Sequence, residues 1–217
     1  MYQPPTAKRH PYDQWSPDAR ALDLVGDKWT LLIVRDLLSG PRRFVELQRM
    51  LPGISTEQLR SRLGRMVAEE MLTRHRYREV PPRVEYALTQ RARQLAPVLG
   101  ELARWGQRWA WSAPRPSERV DVGAIFRLAP GLLAGAARTG VVELVIEGDG
   151  AAHWRLSLTG GEATIEQRPA PLADARVTGR PEQWVAALSP SHELGRLSIT
   201  GERALAELVL SRLAGIG

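Results

Sequence analysis

The chain has 217 residues, a formal net charge of +6, no cysteine and four histidines. That length leaves room for two ordinary domains, while the lack of cysteine excludes disulfides, thiolate metal sites and thiol redox sensing. His10, His75, His153 and His192 are scattered without ligand spacing, no apolar run approaches a membrane span, and the polar stretch from Met1 to Trp15 carries no signal-peptide core, so a cytoplasmic protein with no metal, no other cofactor and no membrane contact is expected.

The charge is uneven. Residues 1–112 hold 19 Lys and Arg against 12 Asp and Glu, a net +7, and residues 113–217 hold 11 against 12, a net −1. The first half therefore has the positive field an anionic partner needs, and the second half does not.

An N-terminal arm covers residues 1–15. Ser16-Pro17-Asp18 starts a first helix with Ala21, Leu22, Leu24 and Val25 as its apolar positions. A second opens at Asp27-Lys28-Trp29-Thr30, runs through Leu31 to Leu38 and ends at Gly40-Pro41. Asp23, Asp27 and Asp36 read as acids on helix surfaces, not as a catalytic set.

The stretch from Gly40 to Met66 carries the most information. It reads as two short amphipathic helices joined by a tight turn at Pro52-Gly53. Ser55 is the N-cap of the second helix, and Gln58, three residues on, completes a capping box. Ile54 and Leu59 sit at the flanking staple positions. Leu59, Leu63, Met66 and Val67 recur at helical spacing and predict the buried stripe. The free side is polar: Ser55, Thr56, Gln58, Arg60, Ser61, Arg62 and Arg65. Short polar side chains with arginine suit base edges and phosphates in a major groove, although an ordinary solvated helix face has the same pattern.

Residues 72–77 and 83–88 read as two strands around Glu79-Val80-Pro81-Pro82. Helix, helix, turn, helix, hairpin is the order of a winged helix-turn-helix. The hairpin carries Arg74, His75, Arg76, Arg78 and Arg83, which fits a wing reaching a backbone or minor groove and equally fits a plain surface hairpin. Arg42, Arg43, Arg62, Arg76 and Arg78 are the candidate phosphate contacts, with Lys28 beside them. Gln58, Ser61 and Arg65 are the candidate base readers, and Arg83 would enter a minor groove. Thr89 caps a last helix running through Trp111, in which Pro97 marks a kink or the true start. Leu95, Val98, Leu99, Leu102, Trp105 and Trp109 form a wide apolar stripe on it. Together with Leu22 of the first helix, this stripe reads as a dimer seam, or else as a surface packed on the second domain.

Residues 113–119 form a Pro- and Ser-rich linker between a domain at 16–112 and one at 120–217. In the latter, Val122 to Ala137 reads as a helix broken near Pro130-Gly131. Strands are expected at 141–146, 153–158, 163–166, 175–178 and 197–199, with helices from Pro181 and around Leu205 to Leu213. The fold class is α+β: a winged helix-turn-helix, then a mixed domain with a mainly antiparallel sheet and helices on one side.

Residues 16–106 resemble the HxlR family of bacterial winged-helix transcription regulators. The motifs are Ala21-Leu-Asp-Leu-Val-Gly-Asp-Lys-Trp-Thr-Leu-Leu-Ile-Val-Arg35, Gly40-Pro-Arg-Arg-Phe-Val-Glu-Leu47, Leu51-Pro-Gly-Ile-Ser55 and Val80-Pro-Pro-Arg-Val-Glu-Tyr-Ala-Leu-Thr89. The resemblance implies a homodimer on a partly palindromic operator in double-stranded DNA, with the helix from Ser55 in the major groove and the hairpin as wing. Redox-sensing members place a cysteine before the proline that is Pro17 here; this chain has Ser16, which lacks that chemistry. Residues 120–213 resemble a sterol-carrier-protein type domain through the strand pattern, Ala175-Arg-Val-Thr-Gly179 and Gly195-Arg-Leu-Ser-Ile-Thr-Gly201. That resemblance implies an apolar cavity for a lipid-like or polycyclic effector. Phe126, Trp154, Leu156, Leu158, Trp184, Leu188 and Leu197 are the candidate walls, and the same residues would equally suit a packed core.

No motif of a catalytic triad, phosphate loop or metal cluster is present, so no catalytic residue is assigned. The expected function is a DNA-binding transcription regulator responsive to an apolar molecule. The alternative is a carrier of apolar molecules whose basic half serves only for docking.

Overall fold

The computed structural model describes residues 11–78 and 83–216. The expected arm before residue 11 and the wing tip at Glu79–Pro82 lie outside the described residues. The chain divides into two compact units, Met1–Leu95 and Ala96–Gly217.

The first unit opens with α1 (Pro17–Val25), capped by Ser16, whose Oγ accepts from the Ala19 N–H at 3.3 Å. Asp27 starts α2 (Thr30–Leu37) by accepting from the N–H groups of Trp29 and Thr30. After β1 (Arg42–Arg43) come α3 (Phe44–Met50), α4 (Thr56–Ala68), the strands β2 (Leu72–Tyr77) and β3 (Arg83–Leu88), and the short α5 (Gln90–Arg93). Ile33, Val34, Leu37, Leu47, Leu51, Leu59, Leu63 and Met66 are all buried. Of the stripe that helical spacing picks out on α4, Leu59, Leu63 and Met66 are buried while Val67 is only half-buried, and each buried side chain contributes roughly 1.5–3 kcal/mol on leaving water. The wing is a three-stranded sheet in the order β1-β3-β2, with Arg42 opposite Tyr86 and Arg43 opposite Glu85.

One acid departs from expectation. Asp36 is fully buried, not on the surface, and the Arg35 Nε donates to its Oδ1 at 2.9 Å. Burying a carboxylate is costly unless its oxygens are hydrogen-bonded.

The second unit begins with α6 (Ala96–Trp109). Thr89 caps α5 and not this longer helix, and Pro97 stands in the first turn of α6, where its missing N–H costs nothing. α6 lies against α8 (Ala129–Leu132) at close range. A Cβ on Gly100 would come 2.6 Å from the Gly131 carbonyl carbon, and one on Gly131 would run into the Ala96 carbonyl. Arg104 Nη2 donates to the Leu132 carbonyl at 2.9 Å. The division at residue 95 thus falls before the linker expected at 113–119, because this backbone approach binds α6 to α8.

The break in the expected helix at 122–137 comes earlier than Pro130, separating α7 (Val122–Phe126) from α8, with Pro130 in the first turn of α8. The strands are β4 (Gly140–Ile146), β5 (Ala152–Thr159), β6 (Glu162–Glu166), β7 (Ala175–Gly179) and β8 (Ser198–Gly201); α9 (Pro181–Ala187) and α10 (Arg203–Leu213) complete the unit. The sheet order is β6-β5-β4-β7-β8, antiparallel except for the parallel pair β4–β7. Val142, Leu144, Trp154, Leu156, Ile165 and Val177 join residues of α7 to α10 in one core. Phe126 meets Trp184 edge-on at 4.8 Å and Trp154 at 6.0 Å between ring centres. Phe126, Trp154, Leu156, Leu158, Trp184, Leu188 and Leu197 all belong to this core, each 8% exposed or less. Their rings and branched chains fill the space between sheet and helices.

On the other side of β4, Glu143 is buried and held by three groups. His153 Nδ1 lies at 2.9 Å, the Ala170 N–H donates at 3.1 Å, and Arg176 Nε stands 2.7 Å away as a charge contact. Burial works to raise its pKa, but the Ala170 N–H, His153 and Arg176 outweigh it and hold the carboxyl below the usual glutamate value. The cluster ties the β6–β7 connection to the sheet.

Candidate nucleic-acid interface

The helix α4 is fixed at its leading end by its own sequence. Ser55 Oγ accepts from the Gln58 N–H, and Gln58 Oε1 accepts from the Ser55 N–H, both at 3.1 Å. A second tie runs to α3, where Gln48 Nε2 donates to Thr56 Oγ1 at 2.7 Å. Leu59, Leu63 and Met66 are buried beneath, so the helix cannot roll without exposing them. Its outer face presents Thr56, Glu57, Gln58, Arg60 and Ser61 to solvent.

Several of the expected contact residues already have protein partners. Gln58 spends its carbonyl oxygen on the cap, leaving its amide N–H groups for other acceptors. Arg62 Nη1 lies 3.1 Å from Asp27 Oδ2 at the head of α2, and Arg65 Nε donates at 2.7 Å to the buried Glu69. Both arginines brace the helix. Arg60 and Ser61 stay on the exposed side, with Arg60 in a loose, exposed pair with Glu57 at 3.4 Å.

The wing is organised by strand alternation. Arg74, Arg76 and Arg78 fall on one side of β2 and its continuation, and all three are exposed. Arg74 faces Tyr86 across the ladder, and Arg76 faces Val84. This side looks into a groove of about 520 Å³ beside α4, with Phe44, Val67, Val84 and Tyr86 as apolar lining and Arg60 and Arg74 as its charged members. Arg74 joins Arg76 and Arg78 as a candidate contact residue, and the Arg-x-Arg-x-Arg spacing of 74, 76 and 78 is the sequence signal that marks it. On the opposite side, the Arg83 guanidinium stacks 4.4 Å from the Tyr77 ring and pairs with Glu85 at 3.1 Å. Arg42 Nη2 donates to Ser39 Oγ, Arg43 is exposed, and the Lys28 ammonium lies over the Trp29 ring at 4.9 Å. A capped helix with arginine on its outer face, beside a strand with three exposed arginines, presents cations at two levels, as a groove and its flanking phosphates require.

Residues 24–113 match the model of the HxlR-like helix-turn-helix family. An uncharacterised HTH-type transcriptional regulator of Synechocystis is 41% identical over 93 residues, which is 43% of this chain and 69% of that one. The regulator YvaP of Bacillus subtilis is 39% identical over 90 residues, 42% of this chain and 83% of YvaP. The chain belongs to the HxlR-like helix-turn-helix family. The matched segment covers α4 and the wing and extends through α6, so the helix that packing assigns to the second unit falls, by family, with the DNA-binding part.

The expected seam faces outward only in part. On α6, Val98, Leu102, Trp105 and Trp109 are 51%, 52%, 59% and 66% exposed, a stripe at 4-3-4 spacing. Leu99 is buried, Leu95 is half-buried and Leu22 on α1 is exposed, so the outward stripe is narrower than the sequence pattern implied. Among the described residues no helix is long and apolar enough to cross a membrane, and no cluster of histidines and carboxylates suits a metal ion.

Proposed function

We propose that this HxlR-type chain is a bacterial, cytoplasmic transcription regulator, not an enzyme, that binds a partly palindromic operator as a homodimer. The observation that carries the proposal is the solvent face of α4, where Thr56, Arg60 and Ser61 stand exposed on a helix locked by the Ser55 cap. Arg60, Arg74, Arg76 and Arg78 contact phosphates, with Arg42, Arg43 and Lys28 in support. Thr56, Gln58 through its amide N–H groups, and Ser61 read bases. Arg62 and Arg65 join them only by trading Asp27 and Glu69 for DNA, and Arg83 reaches a minor groove only by leaving Glu85 and Tyr77.

A second copy covers the stripe of Val98, Leu102, Trp105 and Trp109. Four large apolar side chains in water on one helix face are what a helix–helix seam buries. The second unit, read as sterol-carrier-like from its sequence, supplies the response to an apolar effector. The names of the relatives favour a regulator over a carrier of apolar molecules.

Selection of bound fragments from genomic DNA, followed by titration of the selected duplex, tests this. The proposal expects an inverted repeat whose half-sites lie about one helical turn apart, roughly 34–36 Å. Recovery of fragments with no shared sequence, bound no better than bulk DNA, would refute it.

A further inference from the structure

The leading turn of α4 offers hydrogens and almost no free acceptor. Gln58 Oε1 accepts from the Ser55 N–H at 3.1 Å. A backbone N–H can only donate, so the amide is fixed with its oxygen on the cap and its NH₂ left over. The side chain is exposed, and among the described residues no acceptor takes that NH₂. The Gln58 N–H is used by Ser55 Oγ, but the N–H groups of Thr56 and Glu57, at the first two positions of the helix, have no carbonyl one turn back to bond. They add to the positive end of the helix.

The other long side chains of α4 are engaged. Arg62 stands 3.1 Å from Asp27, and Arg65 donates at 2.7 Å to the buried Glu69. Glu57, the acid of the first turn, is turned to Arg60 at 3.4 Å. The residues at the start of a recognition helix are the ones that meet base edges. At that place the chain presents an exposed, oriented NH₂ group.

We propose that Gln58 determines specificity by selecting guanine, its NH₂ donating to the N7 and O6 edge in the major groove. The inference rests on the regulator proposed above, since it names the base that α4 reads. Guanine sets two acceptors side by side in that groove; adenine sets an N6–H donor beside its N7, cytosine shows a donor, and thymine sets a methyl beside its O4. One nitrogen carrying several hydrogens is enough for the guanine edge, as lysine contacts to it show. Glutamine ordinarily reads adenine, through its oxygen and nitrogen together. Here an adenine would have to win that oxygen from the Ser55 N–H and undo half of the capping box, whereas a guanine leaves the box intact.

Selection of random duplexes with the full chain and with Gln58→Glu, followed by titration of the selected site, tests this. Gln58→Glu keeps a capping box, now S-x-x-E, and removes both donors. An unfolding midpoint close to the parent's confirms that the variant is folded. The parent is expected to select an inverted repeat with a guanine in each half-site that the variant no longer requires, other positions keeping their preferences. Adenine at that position lowers the parent's affinity about tenfold or more. Two base analogues test the same contact without altering the protein: 7-deazaguanine, which lacks only the N7 acceptor, weakens the parent and leaves the variant unaffected, and inosine, which keeps N7 and O6, binds the parent like guanine. A shared repeat in which no guanine responds to Gln58→Glu, a parent indifferent to 7-deazaguanine, or a preference for adenine or thymine lost in the variant overturns the inference and leaves the regulator standing. Recovery of no shared sequence removes the regulator, and this inference with it.

Discussion

The helices α4 and α6 are alike in length, 13 and 14 residues, and both bury one side. Their outer sides differ completely. α4 turns Thr56, Glu57, Arg60 and Ser61 to solvent, and α6 turns Val98, Leu102, Trp105 and Trp109. Arginine and hydroxyl groups rest in water without penalty and lose little when phosphates replace that water. Large apolar side chains do not, and each square ångström covered returns about 25 cal/mol. On the function proposed above, the face left open on each helix matches its partner class: a polyanion for the first, a second copy of the chain for the second.

The strongest way to break this contrast is to make α6 resemble α4. Trp105→Glu combined with Trp109→Glu is expected to turn dimers into monomers in sedimentation experiments and to cut operator affinity by about 100-fold or more, because the second half-site is no longer tethered. Unchanged sedimentation would mean that the apolar face has some other use. A smaller effect should come from Gly131→Ala. The added methyl meets the Ala96 carbonyl, so α6 must lift from α8, at a cost of about 1–3 kcal/mol in denaturant unfolding. Arg65→Ala separates bracing from reading on α4. It leaves Glu69 buried without its partner and is expected to cost about 1–3 kcal/mol of stability, with little change in base preference. A changed preference at one base pair with unaltered stability would instead assign Arg65 to the DNA.

The two units should also part company in acid. Glu143 is held below its usual pKa when folded, so its contribution is complete above the unfolded value of about 4.3 and fades as pH falls through the lower, folded value. Glu143→Gln should flatten that part of the stability profile of the second unit, removing about 1–2 kcal/mol at neutral pH, since Arg176 and His153 are half open to solvent. A parent and variant with parallel acid profiles would show that the cluster contributes nothing to folding.

What the sequence disclosed was local. The box at Ser55 and Gln58, the apolar stripe of α4, the alternation along β5 and the start of α6 at Pro97 all depend on residues within a few positions of one another. What it withheld depends on distant partners. The strand β1 is two residues long and exists only because Tyr86 and Glu85 lie opposite Arg42 and Arg43. The parallel pairing of β4 with β7 joins residues 33 apart, Val142 and Ala175 among them. The α6–α8 approach needs Gly100 and Gly131 together, and neither glycine announces the other. Arg62 looked free for DNA until α2 brought Asp27 to it, whereas Arg65 and Glu69, at i and i+4, were a pair the spacing already contained. The rings of Phe126, Trp154 and Trp184 show the same limit: strand alternation places Trp154 inward, and only packing tells a filled interior from a cavity.

The most direct trial of the account is the affinity of the parent and the Arg60→Ala/Arg76→Ala double variant for a selected operator and for a scrambled duplex of equal length, measured across a salt series. The account predicts that the parent prefers the operator by about 10³-fold or more, and that the variant binds both duplexes more weakly with a salt slope shallower by about one unit for each phosphate contact removed. Equal affinity of the parent for the two duplexes, or an identical salt slope in the variant, would contradict it.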